Sequence, residues 1–212
     1  MTEFKRARSD EQKEQRMCEI KDAVDALYRE KPYHEITITT IADKLDWTRA
    51  NLYQYISTKE EVFLEICADK RDVYYDALKA AFPLDCGYSI EVFAEVWAGI
   101  INAHKDFLHY ASILSTIVET NVSVDRLAAF KKRYYEKAFE VCDLLGAHLK
   151  LSKEDTYEMF LNIYYHATGI DSLCRWNPLI AEALEKENIT TPKIDFRENM
   201  KKFILMNLKQ YT

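Results

Sequence analysis

The chain is 212 residues long, 48% hydrophobic and 30% charged, with a formal net charge of −6. It holds only 4 Gly and 4 Pro, where average usage would give about fifteen and about ten. Glycine-rich phosphate loops, dinucleotide fingerprints and β-rich folds with many tight turns need glycine for positive φ or close backbone approach, so this composition excludes them and favours long helices joined by few loops.

The length suffices for a sizeable core. The longest apolar stretch, Val96 to Ile101, falls far short of the ~18 residues of a membrane span, and the N-terminus is polar where a signal peptide would be apolar. The expectation is a cytoplasmic chain with no membrane partner. Cys18, Cys67, Cys86, Cys142 and Cys174 show no CxxC spacing and read as reduced structural thiols. The acidity is uneven. Residues 1–60 hold 11 basic against 12 acidic side chains and residues 61–212 hold 18 against 23, while Lys5, Arg6 and Arg8 face only Glu3 at the start. A net negative charge lowers non-specific affinity for nucleic acid without forbidding a local contact surface.

In chain order, Met17, Ile20, Val24, Leu27 and Tyr28 mark one face of a helix from about Asp10 to Glu30, stopped by Pro32. Short helices follow at about Thr39–Leu45 and Arg49–Tyr55. Thr58-Lys59-Glu60-Glu61 reads as a capping box opening a long helix with Val62, Ile66, Val73, Ala77 and Ala81 on one side, closed by Pro83 and Gly87. Ser89 caps a helix to about Lys105, Asp106 starts another to about Glu119, and Ser123 caps a third. That third helix carries Leu127, Phe130, Tyr134, Ala138, Val141, Leu145 and His148 at packing intervals. Ser152 caps a helix to about Cys174. A loop with Trp176 and Asn177-Pro178 follows, then a short helix at Leu179–Glu187 and a last one from about Ile194 to Lys209. Gly99, Gly146 and Gly169 lie within helical patterns, and Gly99 and Gly169 are where a ligand or neighbouring helix is expected to press on backbone.

Two very short helices persist only when locked against each other and a third. Ile38, Ile41, Ala42 and Leu45 supply the inner face of one, Leu52 and Ile56 that of the next, and Thr48, Arg49, Ala50, Asn51, Tyr53, Gln54 and Tyr55 are left outward. Arg forks onto guanine, Asn bonds base edges, and Thr, Tyr and Lys hold phosphates. The pattern is a helix-turn-helix with Thr48–Tyr55 as recognition helix. Thr39, at the start of the preceding helix, joins the candidate DNA contacts. Lys59 at a helix N-terminus is unfavourable unless it meets an anion, which a phosphate would supply.

The segment Ile38–Phe63, with Ala42, Leu45, Leu52-Tyr53, Tyr55, Lys59 and Glu60-Glu61, resembles the DNA-binding domain of the tetracycline-repressor-like (TetR) family. The match spans about residues 10–65; the rest agrees in length, helicity and order of elements. The resemblance implies an all-α homodimeric transcriptional regulator, most often a repressor, on an inverted-repeat double-stranded operator and released by a small-molecule effector. It also implies an N-terminal three-helix DNA-binding domain, residues 1–60, a connecting helix from about 59 to 82, and a C-terminal helical bundle, residues 61–212, for dimerisation and effector binding. By position, Thr48, Arg49, Ala50 and Asn51 fall where the family approaches base edges, Tyr53, Tyr55 and Lys59 where it holds the backbone, and Gln54 where either is possible. Asp46 stands where the family usually has the turn glycine.

In the C-terminal part, Phe160, Ile163, Tyr164, Ala167 and Ile170, with Met200, Phe203 and Ile204 of the last helix, form stripes suited to a dimer interface or an internal core. Trp97, His104, Phe107, Tyr110, Tyr134, Tyr135, Tyr165 and His166 offer aromatic walls with polar tips for a pocket. No cluster of buried charge is evident, so the effector is expected to be aromatic or lipophilic. No cofactor and no metal are expected, and no enzyme: Glu-x-x-His is absent and no nucleophile with a placed base is discernible. The alternative is an architectural protein or constitutive regulator whose DNA binding ignores small molecules.

Overall fold

The computed structural model describes residues 10–84, 86–175 and 177–211; Lys5, Arg6, Arg8 and Trp176 lie outside them. Among the described residues there are ten α-helices and no strand: α1 Asp10–Glu30, α2 Ile38–Lys44, α3 Arg49–Leu52, α4 Lys59–Ala81, α5 Ile90–Ala103, α6 Lys105–Ala111, α7 Val124–Leu149, α8 Lys153–Cys174, α9 Pro178–Lys186 and α10 Phe196–Tyr211. None is long and apolar enough to cross a membrane.

The chain packs as two compact units, one drawing on residues up to Asp69 with Ile113–Lys131, the other on Lys70–Ser112 with the residues from Lys132. The first unit gathers Ile20, Val24, Leu27 and Tyr28 of α1, Ile41 and Ala42 of α2, Leu52 of α3 and Phe63 of α4 into one core. Phe63 receives the edges of Tyr28 and Tyr33 at 5.0 and 5.1 Å. In the second unit α10 lies along α5 and α8, and α6 against α8.

Local chemistry explains the helix starts. Thr37 and Thr40 form a reciprocal capping box on α2, while Ser89, Ser152 and Asn177 accept backbone N–H bonds at the starts of α5, α8 and α9. At α4 the box is displaced. Thr58 Oγ1 accepts from Glu61 N at 3.4 Å, but the Glu61 carboxylate accepts from Ser57 N, at 3.0 Å, one residue earlier than expected.

Three other expectations are corrected. The helix expected over Asp106–Glu119 ends at Ala111 and gives way to a π-turn, Leu114–Val118, and a 3-10 turn, Glu119–Asn121. Ser112 Oγ donates back to the His109 carbonyl at 2.7 Å, and the following run holds β-branched Ile113, Thr116, Ile117 and Val118, both poor at continuing a helix. On α4, Val73 is exposed; the buried face runs through Cys67, Arg71, Tyr74, Tyr75 and Leu78, and Phe82 just beyond the helix is buried too.

The tight glycine is Gly146, not Gly99 or Gly169. A Cβ on Gly146 would stand 2.8 Å from Thr156 Oγ1, while Gly99 meets only the end of Arg197 at 3.9 Å and Gly169 meets nothing within 4 Å. Thr156 is fully buried and its hydroxyl donates to the Ser152 carbonyl at 2.7 Å, so it has little room to retreat. Gly146→Ala is expected to destabilise by about 1–3 kcal/mol, and Thr156→Ala in the same chain to recover part of that loss, both read from urea midpoints.

Candidate nucleic-acid interface

The turn between α2 and α3 closes by local bonds. Asp46 takes φ 53°, the left-handed conformation that Asp tolerates at modest cost where glycine would adopt it freely. Trp47 N donates back to the Ala42 carbonyl at 2.9 Å. Thr48, in extended backbone, caps α3 by accepting from Asn51 N at 3.2 Å. The helix proper ends at Leu52, and Tyr53–Tyr55 continue as tight turns through Gln54 N to Asn51 O and Tyr55 N to Leu52 O.

On this frame Thr48, Arg49, Ala50, Tyr53 and Gln54 are exposed, as is Thr39 on α2. Tyr53 is 56% exposed although its ring is large and apolar. Tyr55 is half-buried against Trp47, ring centres 5.7 Å apart, and the Arg16 guanidinium lies over a Trp47 ring, 5.2 Å from its centre. Asn51 departs from expectation. It is buried, and its Nδ2 has no hydrogen-bond partner among the described residues, because position 51 shares the inner face with Leu52.

Lys59 also corrects the sequence reading. Its ammonium donates to the carbonyls of Tyr33 and Ile36 at 2.9 and 2.6 Å and lies 3.7 Å from the centre of the Tyr33 ring. Burial lowers its pKa from the ordinary lysine value, partly offset by Glu60. Glu60 in turn accepts from the Tyr33 hydroxyl. The charge at the start of α4 is thus answered inside the protein, by groups far off in sequence that a local pattern does not reveal. Lys59→Met is expected to cost about 1.5–3 kcal/mol of stability, measured by chemical denaturation.

The expected aromatic walls are dispersed through the second unit. Trp97, Phe107 and Tyr110 are buried, His104, Tyr134 and His166 are half-buried, and Tyr165 is 64% exposed. Trp97 Nε1 donates to Tyr74 Oη at 2.9 Å, and Phe107 stacks between Tyr74 and Tyr164 at 5.7 and 5.9 Å. His166 stacks on Phe203 at 3.6 Å, with a ring nitrogen 2.8 Å from Asn199 Oδ1. Trp97 and His166 thus have their polar tips paired within the fold. Around Tyr134, by contrast, rings run outward: Tyr135 at 5.0 Å, then Phe139 at 5.8 Å and Tyr157 at 5.7 Å, with Tyr135 and Phe139 exposed.

Of the residues expected at a dimer interface, Phe160, Ile163, Ala167, Met200 and Ile204 are buried within the chain's own core. A side chain covered by its own fold has no surface left for a partner, so that expectation is corrected for these five. Tyr164, Ile170 and Phe203 stay half-covered, and the apolar side chains that α8 and α10 leave in the open are Tyr165, Leu173 and Met206.

The expectation of no buried charge is corrected too. Arg71 is 1% exposed. Its Nε and Nη2 donate to Asp72 Oδ1 at 3.1 and 2.8 Å, Arg133 Nε donates to Asp72 Oδ2 at 2.8 Å, and the rings of Tyr75 and Tyr134 flank the Arg71 guanidinium at 5.9 and 5.5 Å. The available signal was spacing: Arg71 sits at three- and four-residue intervals between Cys67 and the Tyr74-Tyr75 pair.

The sequence model described as "Tetracyclin repressor-like, C-terminal domain" matches residues 68–209. No curated protein sequence is a significant match. Among solved structures, a TetR/AcrR-family transcriptional regulator from Thermobifida fusca YX-ER1 aligns with a TM-score of 0.60 at 18% identity, covering 93% of this chain and 99% of that one. The fatty acid degradation regulator FadR from Bacillus halodurans aligns at 0.58 and 14% identity, over 91% and 94%. A tetR-family regulatory protein from Rhodococcus RHA1 gives 0.57 and 16%, over 91% and 95%.

Proposed function

Because the chain belongs to the tetracycline-repressor-like (TetR) family of DNA-binding transcriptional regulators, we propose that it is a sequence-specific repressor, acting as a homodimer on an inverted-repeat operator and released by a small aromatic or lipophilic effector. The observation that carries the DNA contact is the exposed set Arg49, Ala50, Tyr53 and Gln54 on the Thr48-capped helix. A core does not need an exposed guanidinium, amide and phenol on one turn, and a duplex uses all three.

Roles follow from exposure. Arg49 reads a base edge, Thr48 and Tyr53 hold phosphates, Gln54 serves either, and Thr39 adds a backbone contact from α2. Asn51 and Lys59 position the helix and α4 from within, and Tyr55 braces Trp47. Arg49→Ala is expected to lower operator affinity by about 1–3 kcal/mol and relax preference at one base position, whereas Tyr53→Ala weakens binding uniformly across sequences. Fluorescence anisotropy on operator variants separates the two; unchanged affinity in both overturns the assignment.

The dimer forms on the faces that α8 and α10 leave open, around Tyr165, Gly169, Leu173 and Met206. Leu173→Glu with Met206→Glu is expected to give a monomer in light scattering, and a persistent dimer overturns that placement. The effector reading is supported by the ring cluster around Tyr134. Compounds of the right class raise the melting temperature and release DNA together; a panel that changes neither favours constitutive binding.

A further inference from the structure

We propose that Cys86 is a nucleophilic thiol, activated by His148, and that it takes soft carbon electrophiles such as quinones and α,β-unsaturated carbonyls. Cys86 Sγ lies 3.8 Å from His148 Nδ1, and the other ring nitrogen, Nε2, lies 2.8 Å from the Phe82 carbonyl oxygen. A carbonyl only accepts, so Nε2 carries a proton and donates it. In the neutral ring this fixes the tautomer and leaves the Nδ1 lone pair directed at the thiol, the arrangement of a base beside a nucleophile.

The surroundings hold both partners in place. Cys86 N donates to the Pro83 carbonyl at 3.0 Å, and Gly87 next to it takes φ 57°. The imidazole meets the ring of Phe93 edge-on at 6.3 Å, and Phe93 stacks on Phe82 at 4.0 Å. The carbonyl that orients His148 thus belongs to the residue whose ring supports the same stack. Cys86 is half-buried.

The addition balances without a further reactant. The Sγ proton passes to Nδ1, the sulfur lone pair forms a C–S bond at the β-carbon, and the C=C π pair moves to the α-carbon. The proton on Nδ1 then goes to that carbon, restoring neutral His148. Nothing leaves and nothing is oxidised.

The other four thiols serve as internal controls. Cys67 and Cys142 are buried, and burial pushes the Cys142 thiol up to about 12, which keeps it protonated and slow. Cys18 and Cys174 are exposed, and the Cys174 thiol points at the Ile194 carbonyl at 3.8 Å rather than at a base. Ranking by exposure alone puts Cys18 and Cys174 ahead of Cys86. Activation by His148 reverses that order.

The test is timed labelling of the folded full chain with limiting N-ethylmaleimide near neutral pH, read cysteine by cysteine by peptide mass spectrometry. Cys86 is expected to label first, about tenfold or more ahead of Cys18 and Cys174. His148→Gln keeps a side-chain N–H for the Phe82 carbonyl but removes the base; it is expected to slow Cys86 about tenfold or more while leaving Cys174 unchanged. Cys86 labelling no faster than Cys174, or at the same rate in His148→Gln, overturns the proposal. New labelling at Cys142 would reveal unfolding of the variant, and the order among thiols in the unaltered chain then decides alone. The readout is independent of DNA binding, so the regulatory reading and this one fail separately.

Discussion

Trp97→Ala is expected to lower the unfolding free energy by about 3–5 kcal/mol, seen as a shift of the urea midpoint with an unchanged slope. The indole is fully buried, stacked on Phe160 at 6.2 Å and met edge-on by Phe93 at 6.0 Å and Phe82 at 6.4 Å. Truncation removes all three ring contacts at once. It also strips Tyr74 Oη of its donor, and Tyr74 is itself buried deeply enough to push its phenol well above the ordinary pKa. Trp97→Phe is a milder variant, since it keeps one aromatic ring in the stack while losing the N–H and part of the indole volume, at about 1–3 kcal/mol. A residue lining an open pocket would give a much smaller loss on truncation, so a cost under about 1 kcal/mol would return Trp97 to the ligand site.

Asp72→Ala is expected to be comparably damaging, about 3–5 kcal/mol, because it removes a carboxylate from a guanidinium held away from water. Asp72 accepts two bonds from Arg71 and one from Arg133. Arg133 is 39% exposed in its side chain and can turn to solvent; Arg71, at 1%, cannot. The double variant Arg71→Met with Asp72→Ala should therefore lose less than Asp72→Ala alone, since the charge and its counter-charge leave together. Equal losses in the two chains would show that the cost lies in packing around position 72 rather than in the charge.

Much of the architecture was legible one segment at a time. Ser89, Ser152 and Asn177 announce helix starts through their own hydroxyl or amide oxygens, within three residues of the N–H groups they accept from. The face of α7 through Phe130, Ala138, Val141 and Leu145 is buried as its spacing indicates, and Asp46 takes the left-handed turn that its place between α2 and α3 demands. Where the reading failed, two elements competed for the same residue. Asn51 reads as polar and outward by composition, yet it is buried with Leu52 on α3; Lys59 reads as a cation for a phosphate, yet two carbonyls more than twenty residues earlier reach it. The apolar stripes of α8 and α10 could serve a partner or the chain itself, and burial assigns Phe160, Ile163, Ala167, Met200 and Ile204 to the chain.

The sequence by itself determined the helical class and the position of the turn between α2 and α3, because periodicity, caps and breakers act over a few residues and leave a local record. Only the tertiary structure decided which polar groups face solvent and which are enclosed. The bond from Arg133 on α7 to Asp72 on α4, the meeting of Cys86 with His148 and the enclosure of Lys59 are contacts between helices or between loops and helices. Of Gly99, Gly146 and Gly169, it is Gly146 that makes a close approach in three dimensions, set by how the connection from α7 to α8 brings Thr156 back over it, a distance that no one-dimensional pattern encodes.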